Sequence, residues 1–164
     1  MRFIRFRMGR AVAGAGVAFA LAAPMAAQAD AATVRLHAST ATGESLRGPS
    51  FFGTSVALAP TNVNASNQKW VKTDVVGGFA TYRSLAGTNQ PMCLTASSFS
   101  SRPFAAICNP SSLAQQWTRG FVNDGRIENR STFTALTRQA NAAVEVRVLG
   151  GGQVGQKWHE HIAG

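Results

Sequence analysis

The chain carries three histidines, and they are its most obvious candidates for chemistry: His37 near the beginning, and His159 and His161 flanking Glu160 near the finish. On a strand, side chains at i and i+2 point to one side, so His159 and His161 would supply half of a metal site. His37 joins them only if the two ends of the chain meet. A zinc site takes four protein ligands, or three and a water. A solvated polar terminus explains the same residues more simply, so no metal is assigned. The carboxylates Glu44, Asp74, Asp124, Glu128, Glu145 and Glu160 show no spacing that pairs two of them for glycoside hydrolysis. The chain also lacks a G-x-S-x-G elbow, an H-E-x-x-H helix and a phosphate loop. The expectation is a protein with no catalytic residues and no cofactor.

A second group of polar side chains has an evident spacing. The three tryptophans all close the same short motif: Gln68-Lys69-Trp70, Gln115-Gln116-Trp117 and Gln156-Lys157-Trp158. An indole buries a large apolar surface but needs a partner for its N–H. A glutamine amide can donate and accept at once, which suits it to pinning a loop backbone. Gln68, Trp70, Gln115, Trp117, Gln156 and Trp158 are therefore expected to be structural. A leucine precedes each tryptophan at nearly constant distance: Leu46 by 24 residues, Leu94 by 23 and Leu136 by 22. Two anchors in step define an internal threefold repeat.

The elements that must position these residues read as short strands. Val34-Arg35-Leu36-His37 alternates apolar with polar residues, as does the stretch from Val144 to Val148. Apolar runs fall inside each repeat at Val56-Ala57-Leu58-Ala59, from Phe104 to Cys108, and from Val144 to Leu149. Turn signals stand between them at Val76-Gly77-Gly78-Phe79, Asp124-Gly125 and Gly150-Gly151-Gly152. Many short strands with regular turns predict an all-β, barrel-like domain whose closure protects its sheet edges. A propeller repeats at a similar length but needs at least four blades.

The first residues stand outside that pattern. Arg2, Arg5, Arg7 and Arg10 precede a small apolar stretch from Ala11 to Ala23, and Ala27-Gln28-Ala29 is a cleavage signal. Residues 1–29 are expected to be a secretory signal peptide, and 30–164 one domain. The stretch is too short to span a membrane comfortably. The remaining chain has twelve Lys/Arg against seven Asp/Glu, a net charge of +5, with no run of three basic residues. That argues for a solvated basic surface and against nucleic-acid binding, which needs a cluster or stripe. In an exported chain the two cysteines, Cys93 and Cys108, are expected to pair.

Together these features resemble the ricin B-type lectin domain, a β-trefoil with pseudo-threefold symmetry. The middle repeat carries the likeness best, through Cys93-Leu94-Thr95, Ile107-Cys108-Asn109, Gln115-Gln116-Trp117 and the turn from Asn123 to Ile127. The outer repeats share it through Leu46, Leu136 and their Gln-Lys-Trp triplets.

In that family an Asp follows the Cys-Leu pair and accepts hydrogen bonds from a sugar. An aromatic residue stacks on the ring, and an Asn precedes the Gln of Gln-x-Trp. Here the Asp position holds Arg47, Thr95 and Thr137. Asn67 keeps the Asn in the first repeat, while Ala114 and Gly155 replace it in the others. Phe51-Phe52 and Phe104 offer aromatic rings in repeats one and two, and repeat three offers Val146. Carrying the pattern over gives Arg47, Asn67 and Gln68 as the leading sugar-binding set, and Thr95 with Phe104 as a second. A guanidinium can only donate, so Arg47 points to an acidic sugar. The resemblance thus implies a secreted, non-catalytic binder of glycans or glycoconjugates. The alternative is a trefoil with degenerate sugar sites that binds a protein as a toxin component or hydrolase inhibitor, which the phenylalanines Phe51, Phe52, Phe99 and Phe104 would serve if exposed.

Overall fold

The computed structural model describes residues 31–40, 43–87, 89–118, 125–150 and 154–163. The expected leader and the Asn123-Asp124 part of the expected turn lie outside the described residues. In chain order the strands are β1 (Ala31–Ala38), β2 (Glu44–Arg47), β3 (Ala57–Pro60), β4 (Trp70–Val75), β5 (Phe79–Ser84), β6 (Met92–Ser97), β7 (Ser100–Ile107), β8 (Trp117–Thr118), β9 (Thr134–Arg138), β10 (Val144–Val148) and β11 (Trp158–Ile162). Short 3-10 turns at Ser66–Gln68, Leu113–Gln115 and Val154–Gln156 precede the three tryptophans. The predicted apolar runs become β3, β7 and β10.

Register closes the sheet into a ring. β1 pairs antiparallel with both β4 and β11, β4 pairs with β5, and β5 pairs with β8. Bridges Trp117↔Asn129 and Arg126↔Lys157 insert the segment 126–129 between β8 and β11. The first and last strands therefore do meet. Three hairpins, β2–β3, β6–β7 and β9–β10, complete the structure. This is a β-trefoil. The tight β4–β5 turn relies on Gly77 and Gly78, whose φ angles of 89° and 81° would strain other residues.

The alternation predicted from sequence decides what is inside. Trp70 and Trp117 are 0% exposed and Trp158 is 1% exposed. They pack with Leu36, Leu46, Leu94, Ile127 and Leu136 in a single core. One expectation fails in the barrel. Lys72, counted from sequence as part of a solvated basic surface, is largely buried and donates to Glu160 Oε2 at 2.5 Å. Tyr82 donates to the other oxygen of the same carboxylate. The reason is periodicity: Lys72 lies two residues after Trp70 and Glu160 two after Trp158, on the same inward face. Cys93 and Cys108 form the expected disulfide, with Cα atoms 4.9 Å apart. It joins β6 to the residue that follows β7.

Candidate functional site

Each Gln-x-Trp unit is built the same way. The indoles of Trp70, Trp117 and Trp158 donate to the carbonyls of Leu46, Leu94 and Leu136 at 3.0, 2.9 and 2.8 Å. The paired anchors seen in sequence are the two ends of these bonds. The glutamines hold the loops in front of the tryptophans. Their Nε2 groups donate to Pro60, Ile107 and Val148 at 2.8, 2.9 and 3.0 Å. Their Oε1 atoms accept from the amides of Asn62, Asn109 and Gly150 at 2.7, 2.7 and 3.3 Å. Gln68, named from sequence both as structural and as sugar-binding, is buried with both ends of its amide committed to the backbone. It shapes the site from behind.

In repeat one this frame supports an open cleft of about 260 Å³. Arg47, at the exposed end of β2, and Asn67, just before Gln68, both line it. Phe51 supplies an aromatic wall, and Thr54 and Ser55 add hydroxyls. Among the described residues no carboxylate pairs with Arg47. The outer wall is fixed by the next repeat. The amides of Gly53 and Val56 donate to the carbonyls of Ala105 and Pro103 at 2.9 and 3.1 Å, and the Ala105 amide donates to Thr54 at 3.1 Å. The cleft thus holds a guanidinium that donates only, a neutral amide that does both, two hydroxyls and an aromatic face. Such a set is chemically suited to a polar ligand bearing negative charge. Thr54 and Ser55 are not legible in the sequence because only the docking of their loop on β7 brings them to the cleft.

Repeat two does not repeat this geometry. Thr95 is 6% exposed, and its hydroxyl donates to the Cys93 carbonyl at 2.8 Å. Phe104 is its cross-strand partner, half-buried rather than exposed, and also bridges Ser55. The loop of repeat one covers the strand on which an open site would depend. Thr137 mirrors Thr95 in repeat three, donating to Ala135 at 2.9 Å. There Gly155 stands where Asn67 stands in repeat one, and a Cβ on it would lie 2.3 Å from the Arg138 carbonyl oxygen.

The histidines do gather across β1 and β11. The rings of His37 and His161 lie 4.7 Å apart, and those of His159 and His161 lie 6.4 Å apart. Burial holds the His37 pKa below its ordinary value, with smaller contributions from His161, Arg35 and His159, against a raising contact with the Glu44 carbonyl. Among the described residues no group of three or more His, Cys, Asp or Glu has metal-holding geometry. Among them, too, no helix is long and apolar enough to cross a membrane.

The architecture has solved counterparts. The designed threefold-symmetric protein ThreeFoil matches with a TM-score of 0.66 at 19% identity, over 78% of this chain and 96% of its own. The β-trefoil lectin of the Vibrio vulnificus hemolysin/cytolysin, with N-acetyl-D-lactosamine bound, matches at 0.64 and 19%, over 82% and 96%. The Polyporus squamosus lectin bound to Neu5Acα2-6Galβ1-4GlcNAc matches at 0.67 and 16%, over 80% of this chain; the chain spans 49% of that lectin. No family model and no curated protein matched the sequence. At these identities the likeness is one of fold. The chain has the β-trefoil fold, built from three Gln-x-Trp repeats.

Proposed function

We propose that the chain is an exported, non-catalytic glycan-binding protein whose working site is the repeat-one cleft, and that its ligand carries a carboxylate. One observation carries this reading: Arg47, Asn67 and Phe51 line a single cleft while Arg47 lacks a protein counter-charge among the described residues. A planar guanidinium binds a carboxylate through two parallel hydrogen bonds, more strongly than neutral groups do. Asn67 then serves sugar hydroxyls, and Phe51 packs on the ring. The Polyporus squamosus lectin, about half of which this chain matches in fold, was solved bound to a sialylated glycan, which supports the reading.

A glycan array with the purified chain tests the proposal. Sialylated or uronic-acid glycans should bind ahead of neutral ones, and Arg47→Ala and Asn67→Ala should each remove that preference. Absence of acidic-glycan binding, or acidic binding that survives Arg47→Ala, overturns it. A second reading rests on the exposure of Phe51, Phe52 and Phe99, at 76%, 65% and 99%. Apolar rings in water favour a protein surface as partner. A blank array together with a specific protein recovered by pull-down, and lost on Phe52→Ala, would support that one instead.

A further inference from the structure

A second surface feature lies apart from the repeat-one cleft. Between the turn joining β6 to β7 and the turn before β9 runs a trough of about 530 Å³. Seven of its nine lining residues are Ser or Thr and none is charged, so its chemistry is that of neutral hydroxyls. The other two are Val146, a buried floor, and Phe99, an exposed ring at the lip. The trough shares Ser101, Thr134 and Val146 with a separate neighbouring depression of about 500 Å³, whose charged residues, Glu145 and Arg147, pair with each other at 2.7 Å.

Both walls are held in shape by side-chain bonds to the backbone. On one side Ser97 Oγ accepts from the Phe99 amide and Ser100 Oγ accepts from the Arg102 amide, each at 3.1 Å. On the other, Asn129 is 1% exposed and clamps the turn. Its Oδ1 accepts from the amides of Ser131 and Thr132 at 3.0 and 3.2 Å, and its Nδ2 donates to the Ala114 carbonyl at 2.8 Å. The other tryptophans, Trp70 and Trp158, pair with Ser84 and Ala38 on the neighbouring strand where Trp117 pairs with Asn129. The core therefore accepts a small residue there; Ser84 Oγ likewise accepts from the amide two residues on, that of Ala86, at 3.1 Å, and Asn129 adds an Nδ2 that reaches the Ala114 carbonyl. The turn also holds Phe133 at a φ of 54°, a left-handed conformation that is unfavourable for a bulky side chain. Such strain persists where the surroundings over-determine the backbone, and it concentrates at ligand sites. Meanwhile the hydroxyls of Ser98, Ser101 and Ser131 have no protein partner among the described residues.

We propose that this trough is a second binding site, for the neutral hydroxylated part of a glycan. Hydroxyls both donate and accept, as sugar hydroxyls do. The absence of charge among the lining residues disfavours phosphate or carboxylate. Phe99 supplies an apolar face for the ring carbons. The site differs from the repeat-one cleft in residues and in ligand charge, so either can exist without the other.

The test is an array of neutral glycans lacking sialic and uronic acids, read for the parent chain, Phe99→Ala, Ser131→Glu and Arg47→Ala. Phe99 is almost wholly exposed, so its loss leaves folding intact. Neutral-glycan signal should fall about fivefold to tenfold in Phe99→Ala, fall likewise in Ser131→Glu, and stay unchanged in Arg47→Ala. Absence of neutral binding by the parent, or neutral binding indifferent to Phe99→Ala and Ser131→Glu, overturns the proposal. Loss of acidic binding alone in Arg47→Ala speaks only to the repeat-one cleft.

Discussion

The amide of Gly48 donates to the carbonyl of Asn67 at 2.8 Å. This bond ties the residue after Arg47 to the residue before Gln68, and so joins the two polar arms of the repeat-one cleft. The crossing is close. A Cβ on Gly48 would lie 2.3 Å from Ser84 Oγ, 2.9 Å from Ser84 Cβ and 3.1 Å from the Trp70 ring. Gly48→Ala must therefore push β2 away from the barrel. The expected cost is about 1–3 kcal/mol of stability, with loss of acidic-glycan binding. Arg47→Ala, on an exposed side chain, should lose binding at an unchanged thermal midpoint. Thermal unfolding and array binding measured side by side separate the two effects, and equal midpoints for Gly48→Ala and the parent would contradict this account.

The glutamines should behave as equivalents. Replacing Gln115 with Met keeps its length but leaves the Asn109 amide and the Ile107 carbonyl without the partners they have now. These part-buried groups lose two bonds and carry part of the desolvation penalty, so the expected loss is about 1–3 kcal/mol. Gln68→Met should cost a similar amount, because its bonds have matching lengths. Gln156→Met should cost about the same, since its contact to the Gly150 amide is stretched to 3.3 Å but its Nε2 also donates to Thr137 Oγ1 at 3.4 Å. Urea unfolding midpoints of the three variants should coincide.

The core was legible in sequence because its determinants are local and repeated. Gln-x-Trp and its upstream leucine mark the ends of bonds that recur in every repeat, so counting residues was enough. The site was legible only in part. Arg47 and Asn67 stand next to these anchors and are carried with them. Thr54 and Ser55 are not, since their direction depends on a loop laced to another repeat. Thr95 and Phe104 occupied the matching positions in repeat two, yet sequence could not show that Thr95 would be buried and that the same loop would pair along Phe104. Lys72 and Glu160 were hidden by distance, lying 88 residues apart in the chain and paired only once β1 and β11 close the barrel.

That closure also makes stability sensitive to pH. His37 is paired with His159 in register, its Nδ1 lies 3.1 Å from the Glu44 carbonyl, and Arg35, His159 and His161 crowd it with charge or potential charge. Burial lowers its pKa in the folded state, so the unfolded chain binds this proton more readily. The stabilising contribution is complete above the ordinary value near 6.5 and is lost as pH falls below it. Unfolding midpoints should drop from pH 7 to pH 5. His37→Asn, which retains a donor for Glu44 but does not titrate, should flatten that slope. An identical slope in the variant would place the effect elsewhere.

The same crossing that frames repeat one explains why repeat three carries no Asn. Gly48 meets Asn67 in the first repeat, and by position Ala96 meets Ala114 in the second and Arg138 meets Gly155 in the third. One partner is small each time. In repeat one the hairpin side gives way, which leaves room for the Asn67 side chain to face the cleft. In repeat three the loop side gives way, and a Cβ at Gly155 would collide with the Arg138 carbonyl at 2.3 Å. Backbone cannot rotate aside as a side chain does. Gly155→Asn should therefore destabilise the chain by about 2 kcal/mol or more without adding glycan affinity. Ala114→Asn, at a half-buried position opposite another alanine, should cost less than about 1 kcal/mol. Chemical denaturation of both variants decides the point. If Gly155→Asn unfolds at the parent's midpoint, the crossing does not limit where a sugar site can be built.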